Sequence, residues 1–221
     1  MIKKKTYRFS SGEEEISPSP ESSEEEGVIL HYLDDLKPPP KERSDYLEVV
    51  NNRIYFYSGV ETKNVLGLNK ALRDLGAEIQ HSATILECPQ ADIFLHVNSH
   101  GGDLFAGLAA MDEIRKSKVP VISIIDGCAA SAATLMTIAA DKRQINKHAY
   151  MLIHQLSSGM WGKYKEMKDE MENNDSMMKT IRKIYLEYTK IPKKKLDEIL
   201  EHDLWLDAET CLKYGLVDEI I

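Results

Sequence analysis

The sequence has few cysteines, and they form no recognisable pattern. The three are Cys88, Cys128 and Cys211. Three is an odd number, and no Cys-x-x-Cys pair or Cys/His cluster occurs. We therefore expect reduced thiols in a reducing compartment, namely the cytoplasm, and the sequence excludes a disulfide scaffold.

Basic residues are not in excess, and no apolar run is long enough to cross a membrane without interruption. The 28 Lys and Arg residues against 36 Asp and Glu residues give a net charge of −8, which disfavours nucleic acid and anionic membranes as partners. The basic start, Met1 to Phe9, is followed by acidic residues rather than by the apolar core of a secretory signal. The most apolar segment, Val119 to Ala140, contains Asp126 and Gly127, so it predicts a strand, a turn and a helix.

What is present indicates one globular domain with an N-terminal extension. The chain has 221 residues, of which 43% are hydrophobic and 29% charged, a balance typical of soluble domains. Residues 1–27 are rich in Ser, Glu and Pro, and three prolines stand at 38–40. We predict that residues 1–45 form a disordered, gating or propeptide segment, and that residues 46–221 form the domain.

Within the domain, segments typical of strands alternate with segments typical of helices. This alternation predicts an α/β fold with a largely parallel sheet. Strands are predicted at 53–58, 92–98, 119–125 and 150–153, and helices at 62–75, 104–116, 131–140, 163–189, 192–201 and 208–214. Asp103 is the predicted N-cap of the helix at 104–116.

Ser131 lies at a bend of small residues between a predicted strand and a predicted helix. The sequence there is Asp-Gly-Cys-Ala-Ala-Ser, residues 126–131. Small residues allow a sharp turn beside the serine, and the helix start offers free N–H groups to a developing oxyanion. Taken alone, the same bend is more typical of a serine that only caps a helix.

Three other features would complete a serine hydrolase site, although each has a structural interpretation of its own. Asn98 to Gly102 follows a buried strand and ends in two glycines, which expose backbone N–H groups. His154 ends an apolar strand, where it could activate a serine. An acid near Glu201 and Asp203 could orient that imidazole, and spacing alone leaves Asp207 and Asp218 as rivals.

From about Val49 to Ile221, the sequence resembles the proteolytic subunit of Clp protease, a serine peptidase family. The shared motifs occur in the family's order, which makes their combination specific. They are Asn-Ser-His-Gly-Gly at 98–102, Gly-Cys-Ala-Ala-Ser at 127–131, Met-Leu-Ile-His-Gln at 151–155, Asp-Leu-Trp-Leu at 203–206 and Tyr-Gly-Leu-Val-Asp at 214–218.

The resemblance implies a role for five residues. Ser131 is expected to be the nucleophile, His154 the general base and acid, and Asp203 the carboxylate that orients the histidine. The backbone N–H groups of Gly101 and Ala132 are expected to form the oxyanion hole. No metal and no bound cofactor is implied for the peptidase itself, since ATP enters only through a partner ATPase.

The resemblance also implies an architecture and partners. The expected fold is a crotonase-like core with a projecting handle at about 156–190, whose first part, Leu156 to Gly162, is strand-like. Seven subunits are expected to form a ring, and two rings to stack through their handles around a chamber. Unfolded proteins and peptides are the expected substrates, delivered by an AAA+ unfoldase.

Three departures from the family's pattern leave other functions open. His100 stands where the family usually has proline, Asp103 places a carboxylate near the substrate site, and residues 1–45 replace a shorter hairpin that gates the axial pore. One alternative is a capsid or scaffold maturation protease of the same fold that acts without an ATPase, as in some viruses. Others are a catalytically silent ring subunit and an acyl-CoA enzyme of the crotonase superfamily, although all three triad residues are present here.

Overall fold

The computed structural model describes residues 47–221, and the predicted extension at 1–45 lies outside them. In this range strands and helices alternate, as the sequence predicts. The strands are β1 Leu47–Val50, β2 Arg53–Phe56, β3 Ile93–Ser99, β4 Val121–Ala130, β5 Lys142–Ile145, β6 Tyr150–Leu152, β7 Trp205–Leu206 and β8 Glu219–Ile220. The helices are α1 Thr62–Leu86, α2 Leu104–Lys116, α3 Ala132–Ile138, α4 Tyr164–Tyr188, α5 Lys193–Leu200 and α6 Ala208–Lys213.

The strands form one sheet that is largely parallel, which confirms the predicted fold class. The sheet order is β1-β2-β3-β4-β5-β8, and β6 and β7 branch from β4. The pairs from β2 to β8 along this order are parallel, while β1 is antiparallel to β2. Helices connect the parallel strands because such connections need a crossover.

The branch in the sheet lies within β4, which is long enough to have different neighbours along its length. Its first half pairs with β5, from Ile122 to Ile125, and its last residues, Cys128 to Ala130, pair with β6. The register with β3 shifts between Val97 and Ser99. The carboxyl end of β4 therefore separates from the main sheet and is held by β3 and β6 together.

The helices follow from apolar spacing and local caps. Val65, Leu68, Leu72 and Leu75 give α1 a buried face, and the helix continues beyond the predicted end to Leu86, where its apolar residues become exposed. The predicted cap of α2 is confirmed, since the Asp103 carboxylate accepts a hydrogen bond from Ala106 N at 2.7 Å. No helix within residues 47–221 is both long and apolar enough to span a bilayer.

The handle differs from the expectation at its start. The predicted long helix is present as α4, but Leu156 to Gly162 is irregular rather than strand-like. A strand needs a partner for its backbone groups, and within residues 47–221 this segment pairs with no other strand. Instead, Leu156 N donates to Met178 Sδ on α4 at 3.1 Å.

Candidate active site

The register of three strands brings the predicted triad together. Leu152 of β6 pairs with Ala130 of β4 in parallel, so the residues that follow each of them lie at the same edge. Leu152 also pairs with Trp205 of β7, but antiparallel. Two residues after Leu152 therefore lie beside two residues before Trp205, which places His154 next to Asp203.

Ser131 adopts a strained backbone at the end of β4. Its φ of 54° and ψ of −128° lie in a region that favours glycine, at a cost on the order of 1–3 kcal/mol for another residue. Ser131 N donates to Leu152 O at 2.8 Å, and Ser131 O accepts from Thr134 N at 3.0 Å. Hydrogen bonds thus hold the backbone on both sides of the bend, and Ser131 lines the cavity described below.

A second hydrogen bond to Ser131 O comes from a buried chain of hydroxyl groups. Thr134 Oγ1 donates to Ser131 O at 2.6 Å and accepts from the Tyr185 hydroxyl on α4. Burial raises the pKa of Tyr185 to about 12, so its phenol is a neutral donor at pH 7. This chain links the handle helix to the serine, and sequence spacing gave no signal for it.

The His154 ring faces the Asp203 carboxylate at contact distance. The distance between His154 Nδ1 and Asp203 Oδ1 is 3.4 Å, which is longer than the ~2.7–2.9 Å of a charge-assisted hydrogen bond. The histidine side chain is 23% exposed and the aspartate side chain 79% exposed. Because Nδ1 faces the carboxylate, Nε2 is the ring nitrogen that remains for a substrate or a serine.

The rival acids are engaged elsewhere. Asp207 caps α6 by accepting from Thr210 N at 2.9 Å, and these hydrogen bonds lower its pKa. Asp218 binds Arg143, whose hydrogen bonds lower the pKa of that carboxyl. Of the three aspartates that spacing left open, Asp203 is the one in contact with His154.

Ser131 and His154 line one cavity, but no hydrogen bond joins them. The cavity has a volume of about 260 Å³. Among the hydrogen bonds of residues 47–221, none connects the Ser131 hydroxyl with His154. Catalytic hydrogen bonds are often long in structures without substrate, so the missing hydrogen bond does not by itself separate the two residues in function.

Gly101 lies against the serine bend, where only glycine fits. Its φ is +90°, and a Cβ there would lie 2.5 Å from Ala130 O and 2.7 Å from Ser131 Cβ. The same Cβ would lie 3.1 Å from Ala132 N, so the two predicted oxyanion donors are neighbours. Gly101 N donates to Ser99 Oγ at 3.2 Å here, and an oxyanion would have to compete for that N–H.

The histidine that departs from the family's pattern lies to one side of the cavity. The His100 ring packs edge-on against Trp205, with ring centroids 6.0 Å apart. His100 Nε2 is 4.0 Å from Cys128 Sγ, whose pKa is raised by burial. His100 does not line the cavity of Ser131, which agrees with a tolerated surface change.

The cavity also contains residues that the sequence did not point to. Glu170, Asn174, Met177 and Ile181 line it from α4. Their spacing of four, three and four residues is that of one helix face, but only the packing of α4 reveals which face meets the serine. Within residues 47–221, no cluster of three or more His, Cys, Asp or Glu residues could hold a metal ion.

Comparison with known proteins shows which family the chain belongs to. The sequence profile of the family described as Clp protease matches residues 56–221, about three quarters of the chain. The chain belongs to the Clp protease family. Family membership confirms the resemblance and supports a peptidase role.

Individual relatives agree with this assignment. The chain is similar to an ATP-dependent Clp protease proteolytic subunit from Deinococcus radiodurans, 33% identical over 135 residues, covering 60% of this chain and 66% of that protein. It is 31% identical over 165 residues to ATP-dependent Clp protease proteolytic subunit 2 from Treponema denticola, covering 73% of this chain and 82% of that protein.

A solved structure confirms the fold. A mutant of ClpP1 from Listeria monocytogenes superposes with a TM-score of 0.67 at 24% sequence identity, covering 77% of this chain and 91% of that one. The predicted crotonase-like, Clp-type core is therefore present in this family member.

Proposed function

We propose that this Clp family chain is a serine endopeptidase that cuts unfolded polypeptides into short peptides. Ser131 Oγ attacks the scissile carbonyl while His154 Nε2 takes its proton. His154 then gives that proton to the leaving amine, and water repeats the cycle to release the acyl group. Asp203, on the Nδ1 side of the ring, holds the tautomer that leaves Nε2 free to accept.

One observation carries the proposal: the strained Ser131 opens into the same cavity as a histidine paired with an aspartate. A serine that served only as a helix cap would accept a hydrogen bond from a backbone N–H of the following turn, and Ser131 makes no such side-chain cap. Strained backbone is typical of functional sites, and the φ of 54° would be explained if it positions the hydroxyl for attack on a substrate.

The N–H groups of Gly101 and Ala132 are the proposed oxyanion hole. Ala132 is the first residue of α3, where backbone N–H groups have no partner within the helix. Gly101 becomes available when its N–H turns from Ser99 Oγ to the developing charge. We propose that substrate binding or ring assembly makes this change and also closes the gap between Ser131 and His154.

We further propose that the chain works as a ring-forming subunit with an AAA+ unfoldase. The relatives from Deinococcus and Treponema are named ATP-dependent proteolytic subunits, and this chain shares their family. ATP would be used by the partner, and the peptidase itself would need neither metal nor cofactor. The cytoplasm, expected from the unpaired cysteines, is its proposed place of action.

Ser131→Ala tests the proposal directly. The variant should lose peptide cleavage by at least a thousandfold, because the nucleophile is absent, and should no longer be labelled by a fluorophosphonate probe. Ser176→Ala, on the exposed surface of α4, is the matched control and should behave as wild type. Sedimentation velocity checks that both variants retain the wild-type assembly. Retained cleavage in Ser131→Ala would discard the assignment.

The same preparations separate the remaining functions. Casein degradation that requires an unfoldase ring and ATP supports the ATP-dependent role. Cleavage of a scaffold protein without an ATPase would instead identify a maturation protease. Assembly without cleavage or labelling of the wild type would identify a silent ring subunit.

A further inference from the structure

The handle helix α4 contacts the serine bend through a buried hydroxyl group. Ile181 and Tyr185 are the residues of α4 that are buried against the domain, and Tyr185 alone of the two has a polar atom in its side chain. Within residues 47–221, the Tyr185 hydroxyl has one hydrogen-bond partner, which is Thr134 Oγ1. Thr134 is fully buried in α3. Because buried polar groups need partners, the packing of α4 at this point depends on the Thr134 hydroxyl.

The direction of donation along this chain of hydroxyl groups is fixed by its ends. Ser131 O is a carbonyl oxygen and can only accept, so the Thr134 hydroxyl gives its proton to Ser131 O, at 2.6 Å. The lone pairs of Thr134 Oγ1 are then free to accept from the Tyr185 phenol. Burial raises the pKa of Tyr185 to about 12, which keeps the phenol protonated. Consecutive hydrogen bonds of this kind strengthen one another in a buried environment.

A fixed Ser131 O also fixes the N–H group of Ala132. The two belong to one peptide group, which is planar and trans, so its C=O and N–H point in opposite directions. Ser131 O accepts from Thr134 N at 3.0 Å and from Thr134 Oγ1. Both hydrogen bonds hold this peptide plane at a φ of 54° and a ψ of −128° for Ser131, a conformation that a serine does not favour by itself. The Ala132 N–H is thereby directed away from Thr134.

Two observations distinguish this arrangement from an ordinary helix start. A threonine that bonds a carbonyl group three residues earlier is common, and that contact alone would assign no role to it. Here, however, the threonine also accepts from a tyrosine that lies 51 residues further along the chain on another helix. In addition, Ser131, Ala132 and Tyr185 line the same cavity, so the chain of hydroxyl groups begins and ends at the wall of the site.

We propose that Tyr185 and Thr134 are positioning residues that direct the Ala132 N–H toward the oxyanion. This inference rests on the proposed peptidase function and names the side chains that orient one of its two oxyanion donors. Both act through the peptide between Ser131 and Ala132 and not on the substrate. Because an oxyanion donor contributes mainly in the transition state, loss of its direction lowers kcat and leaves KM nearly unchanged.

Tyr185→Phe tests the proposal on the assembled protein, since it keeps the ring and removes the hydroxyl. Deletion of an oxyanion donor costs roughly a hundredfold to a thousandfold in kcat, and its misdirection should cost about tenfold, with KM within about twofold of the wild type. Tyr188→Phe is the matched control on α4. The Tyr188 hydroxyl lies outside the cavity and makes no hydrogen bond within residues 47–221, so this variant should match the wild type.

A transition-state analogue separates positioning from packing. A peptide boronate, once bonded to Ser131 Oγ, places an oxygen in the oxyanion hole. A peptide with a methylene group in place of the scissile carbonyl has no such oxygen. In Tyr185→Phe, the inhibition constant of the boronate should rise by the same factor as kcat falls, while that of the methylene peptide stays at the wild-type value.

Substitutions of Thr134 test the middle of the chain of hydroxyl groups. Thr134→Val keeps the shape of the side chain and removes its hydroxyl, so kcat should fall at least as far as in Tyr185→Phe. Thr134→Ser keeps the hydroxyl and should retain most of the activity. The double variant of Tyr185→Phe with Thr134→Val should be no slower than Thr134→Val alone, because both changes interrupt the same chain.

The outcomes distinguish this inference from the proposed function. If Tyr185→Phe and Thr134→Val lower the unfolding temperature but keep the wild-type kcat, or if they raise KM alone, the two residues do not position the oxyanion donor and the peptidase function stands. Losses that add in the double variant would contradict a shared chain. If the wild type cleaves no peptide and Ser131 is not labelled by the fluorophosphonate, the proposed function fails, and the positioning role fails with it.

Discussion

A single arginine, Arg143, joins parts of the chain that are far apart in sequence. Its Nε and backbone N both donate to Asp218 Oδ2, at 2.9 and 3.0 Å. Its Nη1 donates to the carbonyl oxygens of Tyr188, at the end of α4, and Gly215, after α6. The handle helix and the C-terminal strand are therefore fastened to β5 through one guanidinium, whose planar geometry suits several acceptors at once.

The Arg143 contact makes stability depend on pH through Asp218. Hydrogen bonds from Arg143 lower the pKa of Asp218, so the pair stabilises the fold above the unfolded value of about 3.9 and loses its effect as pH falls through the lower, folded value. We predict that Asp218→Asn lowers stability by about 1–2 kcal/mol at pH 7, a figure reduced because the carboxylate side chain is 39% exposed.

Thermal unfolding of both proteins from pH 7 down to pH 3 measures this difference in stability. The difference between wild type and Asp218→Asn should shrink as the pH falls below about 4. Asp112→Asn, at an exposed position of α2 that has no ion pair within residues 47–221, is the matched control and should track the wild type at every pH. A gap between Asp218→Asn and the wild type that stays constant with pH would contradict the assigned cause.

Between elements, the junction of β3 with α2 decides how closely backbone can approach the serine bend. Gly101 O accepts from Val60 N at 2.9 Å, and Val60 O accepts from Asp103 N at 2.8 Å. These hydrogen bonds fix the loop on the β2–α1 connection. The loop between β3 and α2 therefore packs closely against the end of β4, and this leaves no space for a side chain at Gly101.

Gly101→Ala should therefore damage the site more than the fold. An alanine at φ of +90° costs about 1–2 kcal/mol, and its methyl group would displace the Ser131 bend. We expect peptide cleavage to fall at least a hundredfold while the protein still folds. Gly159→Ala is the control, since a Cβ there meets nothing within 4 Å. Equal cleavage by both variants would show that Gly101 is not part of the active site.

The sequence predicts elements well where the signal is local, and poorly where it is not. The helix at 104–116 and its cap Asp103 lie within one segment, and both predictions are confirmed. The strands β5, β7 and β8, of four, two and two residues, were not predicted, because they exist only through pairing with distant strands. The sequence also could not predict that Glu170 lines the cavity, because that depends on how α4 packs against the domain.

At the scale of the whole molecule, the handle helix presents an apolar stripe that the rest of the described chain does not cover. Tyr164, Met167 and Met171 are exposed at a spacing of three and four residues. The same stripe continues through Ile181 and Tyr185, which are buried against the domain. One half of a continuous helix face is therefore packed and the other half is free to pack against a second subunit.

If this free half joins two rings, as expected from the family resemblance, then adding charge to it should break the assembly. Met167 is 42% exposed and Met171 53% exposed, and burying a methionine fully contributes about 1.5–3 kcal/mol. Met167→Glu combined with Met171→Glu should therefore reduce the mass measured by sedimentation velocity to that of a single ring or smaller. Asn173→Glu combined with Ser176→Glu adds the same charge to the opposite, exposed face of α4 and should leave the mass unchanged. A methionine double variant that keeps the full mass would show that the stripe is not the contact between rings.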